Sequence, residues 1–110
     1  MNIYDTANKL ASELKSSEEY MNYKMAKEAI NLKPDLKEKI QDFEKMRYET
    51  QIEEMQTGKS DEEKMKKMQE MYANLIENED VKKFFDAELK FNVMIADVNK
   101  IIVDAVRDVM

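Results

Sequence analysis

The chain has no cysteine and no histidine, and among its 110 residues it has one glycine, Gly58, and one proline, Pro34. Each shortage excludes something. Without Cys there is neither a disulfide nor a thiolate ligand for a metal. Without His, nucleophile–histidine catalysis and the Glu-x-x-His metal site of helical bundles cannot be assembled. With so few Gly and Pro, a sheet would lack its tight turns. Long apolar runs are missing too. The opening "MNIYDTANKL" carries Asp5 and Lys9 where a signal peptide needs an unbroken apolar segment. The most apolar stretch, "FNVMIADVNKIIVDAV" (residues 91–106), is interrupted by Asn92, Asp97, Asn99, Lys100 and Asp104. It falls short of the roughly 18 uncharged residues of a membrane span. A cytoplasmic protein without membrane contact is expected.

Charged residues, by contrast, make up 38% of the chain, with a formal net charge of −6. A direct nucleic-acid ligand is not expected, because phosphate binding needs a basic surface. The lysines of "KMKK" (residues 64–67) follow directly on Asp61, Glu62 and Glu63 and read as a solvated helix face. Ala, Glu, Lys, Leu and Met are abundant, and all favour helix. The length suits one domain over residues 1–110. The expected fold is all-α, an elongated bundle of four to five helices with a long C-terminal helix.

Apolar spacing divides the chain. Ile3, Ala7, Leu10 and Leu14 recur at four, three and four residues and predict a first helix. Ser16 followed by Glu19 reads as a capping box for a second, with Tyr20, Tyr23, Ala26 and Ile30 on its apolar side. Pro34 ends that helix and suits the first turn of a third. There Leu36, Ile40 and Phe43 form one stripe and Tyr48, Ile52 and Met55 another, so the apolar face is expected to rotate midway. Gly58 is placed to end the third helix, and Ser60 with Glu63 to cap the fourth. The fourth helix carries Met65, Met68, Tyr72, Leu75 and Ile76 on one side. "ENED" (residues 77–80) is a polar joint or kink, with Asn78 or Asp80 as the next N-cap.

The last helix is the distinctive element. Ala87, Phe91, Met94, Val98, Ile101 and Ala105 keep a four-three alternation, like a coiled-coil seam. A second line, Asn92, Ile95, Asn99, Ile102, Val106 and Val109, runs beside it, and Asp97, Lys100, Asp104 and Arg107 occupy the opposite face. Such an apolar face is too wide for one partner helix. A helix of about 30 residues is roughly 45 Å long, and a compact chain of this size is near 34 Å across. Either the helix breaks, or neighbouring helices cover it, or it packs on another chain. Self-association as a homo-oligomer, with a dimer favoured, is the expected outcome. Phe84, Phe91, Met94, Ile95, Val98, Asn99, Ile101 and Ile102 are the candidate interface for a second copy or another helical protein. Asn99 either fixes register on the seam or sits at its wet edge.

Signs of chemistry are weak. "TGKS" ends like a phosphate-binding loop, but that motif needs a Gly where Glu53 stands and a strand leading into it. Glu49, Glu53 and Glu54 are better explained as exposed helix charges than as an all-carboxylate cation site. The ten Met residues suit adaptable core packing or a pliable binding surface. No catalytic, cofactor-binding or metal-binding residue is assigned, and the chain is not expected to be an enzyme.

Tyr4-Asp5 with Ala7 and Leu10, "SSEEY" (residues 16–20), Ala87-Glu88 and "MIADVNKII" (residues 94–102), in this order and spacing, resemble the YlbF/YheA-like family of small bacterial helical proteins. The resemblance runs essentially end to end and is strongest to the YheA-like branch, which has no assigned biochemical activity. It implies an all-helical bundle that associates into dimers or higher assemblies. For the YlbF-like members it implies a regulatory subunit of a ribonuclease-associated complex affecting RNA processing, competence, sporulation and biofilm formation. That complex holds iron–sulfur clusters on cysteines, and this chain can supply none.

Overall fold

A computed structural model describes residues 2–110, and among them the chain is all-α. Five helices follow in order: α1 (Ile3–Lys15), α2 (Glu18–Asn31), α3 (Pro34–Thr57), α4 (Glu62–Leu75) and α5 (Glu79–Val106). A short 3₁₀ turn, Arg107–Val109, ends the chain. At 1.5 Å per residue the 28 residues of α5 extend about 42 Å. No helix among the described residues is long and apolar enough to cross a membrane.

The helix ends follow from side chains that satisfy free backbone groups. Asn2 Oδ1 accepts the Tyr4 N–H at 2.8 Å to open α1. Pro34 stands in the first turn of α3, where a missing N–H costs nothing. Gly58 closes α3 with φ of 71°, its N–H bonded to the Glu54 carbonyl at 2.8 Å. Asn78, one of the two residues considered for the role, caps α5 by accepting the N–H groups of Asp80 and Val81.

Two caps sit one residue later than the spacing predicts. Ser16 remains in helical conformation and turns its hydroxyl back to the Ser12 carbonyl. Ser17 instead accepts the Tyr20 N–H at 3.2 Å while donating to the Leu14 carbonyl, so one hydroxyl ties the two helices together. Likewise Asp61, not Ser60, caps α4, accepting from the N–H groups of Glu63 and Lys64. The Ser60 hydroxyl donates to Glu54 Oε1 at 2.8 Å.

A third difference lies in α3. Leu36, Ile40 and Phe43 turn inward, and Ile40 and Phe43 are buried. Of the expected second stripe, Ile52 is half-buried while Tyr48 and Met55 are exposed, so the face turns only at that one residue. The next buried position is Thr50, seven residues beyond Phe43 and on the same side of the helix.

The chain forms two compact units. One comprises residues 28–83, and its buried apolar residues are Ile30, Ile40, Phe43, Leu75 and Val81. Within it the Phe43 ring lies 5.9 Å from Tyr72, and the Arg47 guanidinium 5.7 Å above Phe43. Lys64 and Glu53 form an ion pair at 2.6 Å, and Lys33 pairs with Asp80. The other unit comprises residues 2–27 and 84–110. Phe84 and Ala87 are its buried apolar residues.

Candidate interaction surface

The second unit is built around one stripe of α5. At about 100° per residue, Phe84, Phe91, Ile95, Val98 and Ile102 fall within about 60° of each other around the helix. The start of this stripe is covered by α2. The Tyr23 ring lies 5.8 Å from Phe84 and 5.3 Å from Phe91, and Tyr20 meets Phe91 edge-on at 6.3 Å. The Tyr23 hydroxyl donates to Glu88 Oε2 at 3.2 Å, so the ring packs while its polar end is satisfied. Lys27 adds an ammonium 5.2 Å from the Tyr23 ring. These pairs place later residues of α2 against earlier residues of α5, so the two helices run antiparallel.

Along the stripe, burial then falls away. Phe84 is 5% exposed and belongs to the protomer's own core. Phe91, Met94, Ile95 and Val98 are half-buried. Asn99 is exposed, on the helix side about 60° from Ile102. Beyond it Ile101 is 70% exposed, Ile102 52% and Val109 81%, with Val103 and Val106 also open. The eight candidate residues thus divide into one core residue, four half-buried residues and three exposed ones. On the far side, Asp104 and Arg107 pair with each other, as do Asp86 and Lys90 within two turns of Phe84. The α1 helix of this unit contributes half-buried Leu10 and Leu14 and leaves Ile3 and Tyr4 exposed.

Several exposed aliphatic side chains lying this close together are more than the single exposed apolar residues that are ordinary scatter. It offers no nucleophile, no acid–base pair and no ligand set. Among the described residues no group of three or more acidic side chains is placed to hold a metal ion. Glu53, one of the three carboxylates singled out above, is paired with Lys64, whose ammonium that hydrogen bond holds above its usual pKa. A pocket in the other unit is lined by Lys39, Asp42, Lys67 and Glu70, two charges of each sign, beside buried Leu75. Its charges balance and select no ligand. Of the methionines, Met21, Met25, Met55 and Met65 are exposed, and Met68 and Met71 half-buried. Sequence spacing identified the apolar line of α5, but not where its cover ends. The aromatic pair Tyr20 and Tyr23, three residues apart, is the signal that locates that limit.

A family model described as "Control of competence regulator ComK, YlbF/YmcA" matches residues 3–107. A UPF0342 protein of Clostridium novyi is 37% identical over 108 residues, which cover 98% of this chain and 95% of that protein. One from Symbiobacterium thermophilum is 36% identical over 104 residues, covering 94% and 93% respectively. One from Caldicellulosiruptor bescii is 33% identical over 105 residues, covering 96% and 88%.

Proposed function

The chain belongs to the YlbF/YmcA family, and from that premise we propose that it is a non-catalytic cytoplasmic interaction module that self-associates, as a dimer, through α5. The observation that carries this reading is the exposed aliphatic end of α5, from Ile101 to Val106, which follows a stripe that is buried at Phe84 and half-buried from Phe91 to Val98. Leaving such a surface in water is unfavourable by about 25 cal/mol for each Å² that a partner would cover. A symmetric pair covers the same patch twice with one contact. The absence of His and Cys from the sequence favours a binding role over nucleophilic catalysis. Light scattering on the purified chain is the test. A molar mass twice the 13.0 kDa of the chain is expected, falling to one chain with Ile102→Asp at unchanged helicity. A monomer at all concentrations would remove self-association from the reading.

The family match favours a second reading, in which the chain acts in the control of competence as a regulatory subunit reached by protein contacts. A tagged pull-down from native cytoplasm separates the two. Stoichiometric recovery of sister helical proteins or ribonuclease-associated proteins supports the regulatory subunit. Recovery of the chain alone supports the self-contained oligomer.

A further inference from the structure

We infer that the fold contains a built-in opening: residues 28–83 act as a standing frame, and the unit that carries both chain ends opens and recloses while the frame stays folded. The two units differ in how the chain runs through them. The frame is one continuous segment, whereas the terminal unit consists of two pieces, residues 2–27 and 84–110, joined only through the frame. If the frame unfolded first, the two pieces would have to hold together across a loose loop of about 56 residues. Closing a flexible loop of that length disfavours such a state by about 400-fold before any contact is counted. Opening the terminal unit first leaves no loop to close, only two free ends. The order of opening is therefore set by connectivity.

The frame, by contrast, closes on its own residues. Lys33 near its start pairs with Asp80 near its end, and Ile30 and Val81, also near the two ends, are both buried. None of these needs the terminal pieces to be folded.

Burial points the same way. The frame buries Ile30, Ile40, Phe43, Leu75 and Val81, while the terminal unit buries Phe84 and Ala87. Tyr20, Tyr23 and Phe91 are only half-buried, and α1 contributes no buried residue. Segments with fewer buried apolar contacts open at lower free energy than the rest of a chain. The opening has a consequence for α5. It separates Tyr23 from Phe84 and Phe91, which uncovers the first part of the stripe. The apolar line is then open from Phe84 to Val106 on a chain whose residues 28–83 keep their fold.

Native-state amide exchange on the full chain, under conditions where exchange follows the opening equilibrium, is the test. Residues 20–27 and 85–98, clear of both chain ends, report the terminal unit, and residues 36–52 and 65–76 report the frame. In the unsubstituted chain the terminal unit is expected to exchange faster and with the weaker urea dependence, because less surface is exposed when it opens. Equal rates and equal urea dependence, or slower exchange of the terminal unit, would overturn the inference. Two mild substitutions then test the order. Phe91→Leu loses the ring contacts with Tyr20 and Tyr23 and is expected to speed exchange in both units by about two- to tenfold. Frame amides share the effect because they exchange only after the terminal unit has opened. Ile40→Val trims the buried core of the frame and is expected to speed the frame alone, again by about two- to tenfold. If each substitution acted only on its own unit, the two would open independently. If each acted equally on both, the chain would open as one. Either pattern would remove the frame.

Discussion

The Tyr23 hydroxyl donates to Glu88 across 3.2 Å while its ring lies against Phe84 and Phe91, so one side chain supplies both the packing and the polar anchor that hold α2 on α5. The two contributions separate by substitution. Tyr23→Phe keeps the ring and is expected to cost about 0.5–1.5 kcal/mol. Tyr23→Leu also loses the ring contacts and should cost about 1 kcal/mol more. Urea unfolding of both variants checks the order. Equal losses would mean that the hydroxyl carries the whole effect.

Thr50 is 4% exposed, and its hydroxyl has no hydrogen-bond partner among the described residues. An unsatisfied buried hydroxyl is unfavourable by about 1–3 kcal/mol, whereas a methyl of the same size is at home there. Thr50→Val conserves shape and has nearly the same helix propensity. It is expected to stabilise the chain by about 1 kcal/mol, read as a higher urea midpoint. A loss of stability would place a bound water or partner on that hydroxyl.

Thr50 also marks where sequence reading stops. A polar residue on the buried line of α3 breaks the apolar pattern, so spacing alone transfers the stripe to Tyr48, Ile52 and Met55, of which only Ile52 is half-buried. The helices themselves were legible, because apolar residues at three- and four-residue steps, Pro34 and Gly58 each have one physical meaning. Ser16 and Ser17 offer the same hydroxyl one residue apart, and so do the side-chain oxygens of Ser60 and Asp61. Only the backbone angles decide between them. On α5 the apolar line was legible, while the limit of its cover depends on Tyr20 and Tyr23, some 65 to 70 residues away in sequence.

Gly58 holds φ of 71°, and a Cβ built there meets nothing within 4 Å. Its substitution therefore tests backbone conformation without steric interference. Gly58→Ala is expected to cost about 1–2 kcal/mol, the usual penalty for an L-residue in the left-handed region. Gly58→Asn should cost less, since Asn tolerates that region. Thermal unfolding of the two variants gives the comparison, and equal melting temperatures to the parent would mean that the α3 end rearranges.

Asp61→Ala removes the acceptor for two N–H groups at the start of α4 and should cost about 1 kcal/mol. Ser60→Ala, one residue earlier, loses only an exposed hydrogen bond to Glu54 and should cost less than half of that. Urea midpoints in the reverse order would return the cap to Ser60.

The ion pair of Lys33 and Asp80 lies within one unit and carries a pH signature. The hydrogen bond from Lys33, reinforced by its charge, holds the Asp80 carboxyl below its ordinary pKa. A carboxyl with a folded pKa below its unfolded value of about 3.9 adds stability above that value. The contribution disappears as pH falls through the folded pKa, because the protonated acid no longer attracts the ammonium. Lys33 is exposed and Asp80 half-buried, and both remain in reach of water, so the effect is small and salt-sensitive. A double-mutant cycle with Lys33→Met and Asp80→Asn isolates it from the position of Asp80 in the first turn of α5, where the helix dipole also favours a negative charge. The coupling is expected to favour the folded chain at neutral pH, to weaken below about pH 4 and to shrink in high salt. A coupling constant across that range would make the contact one of packing rather than charge.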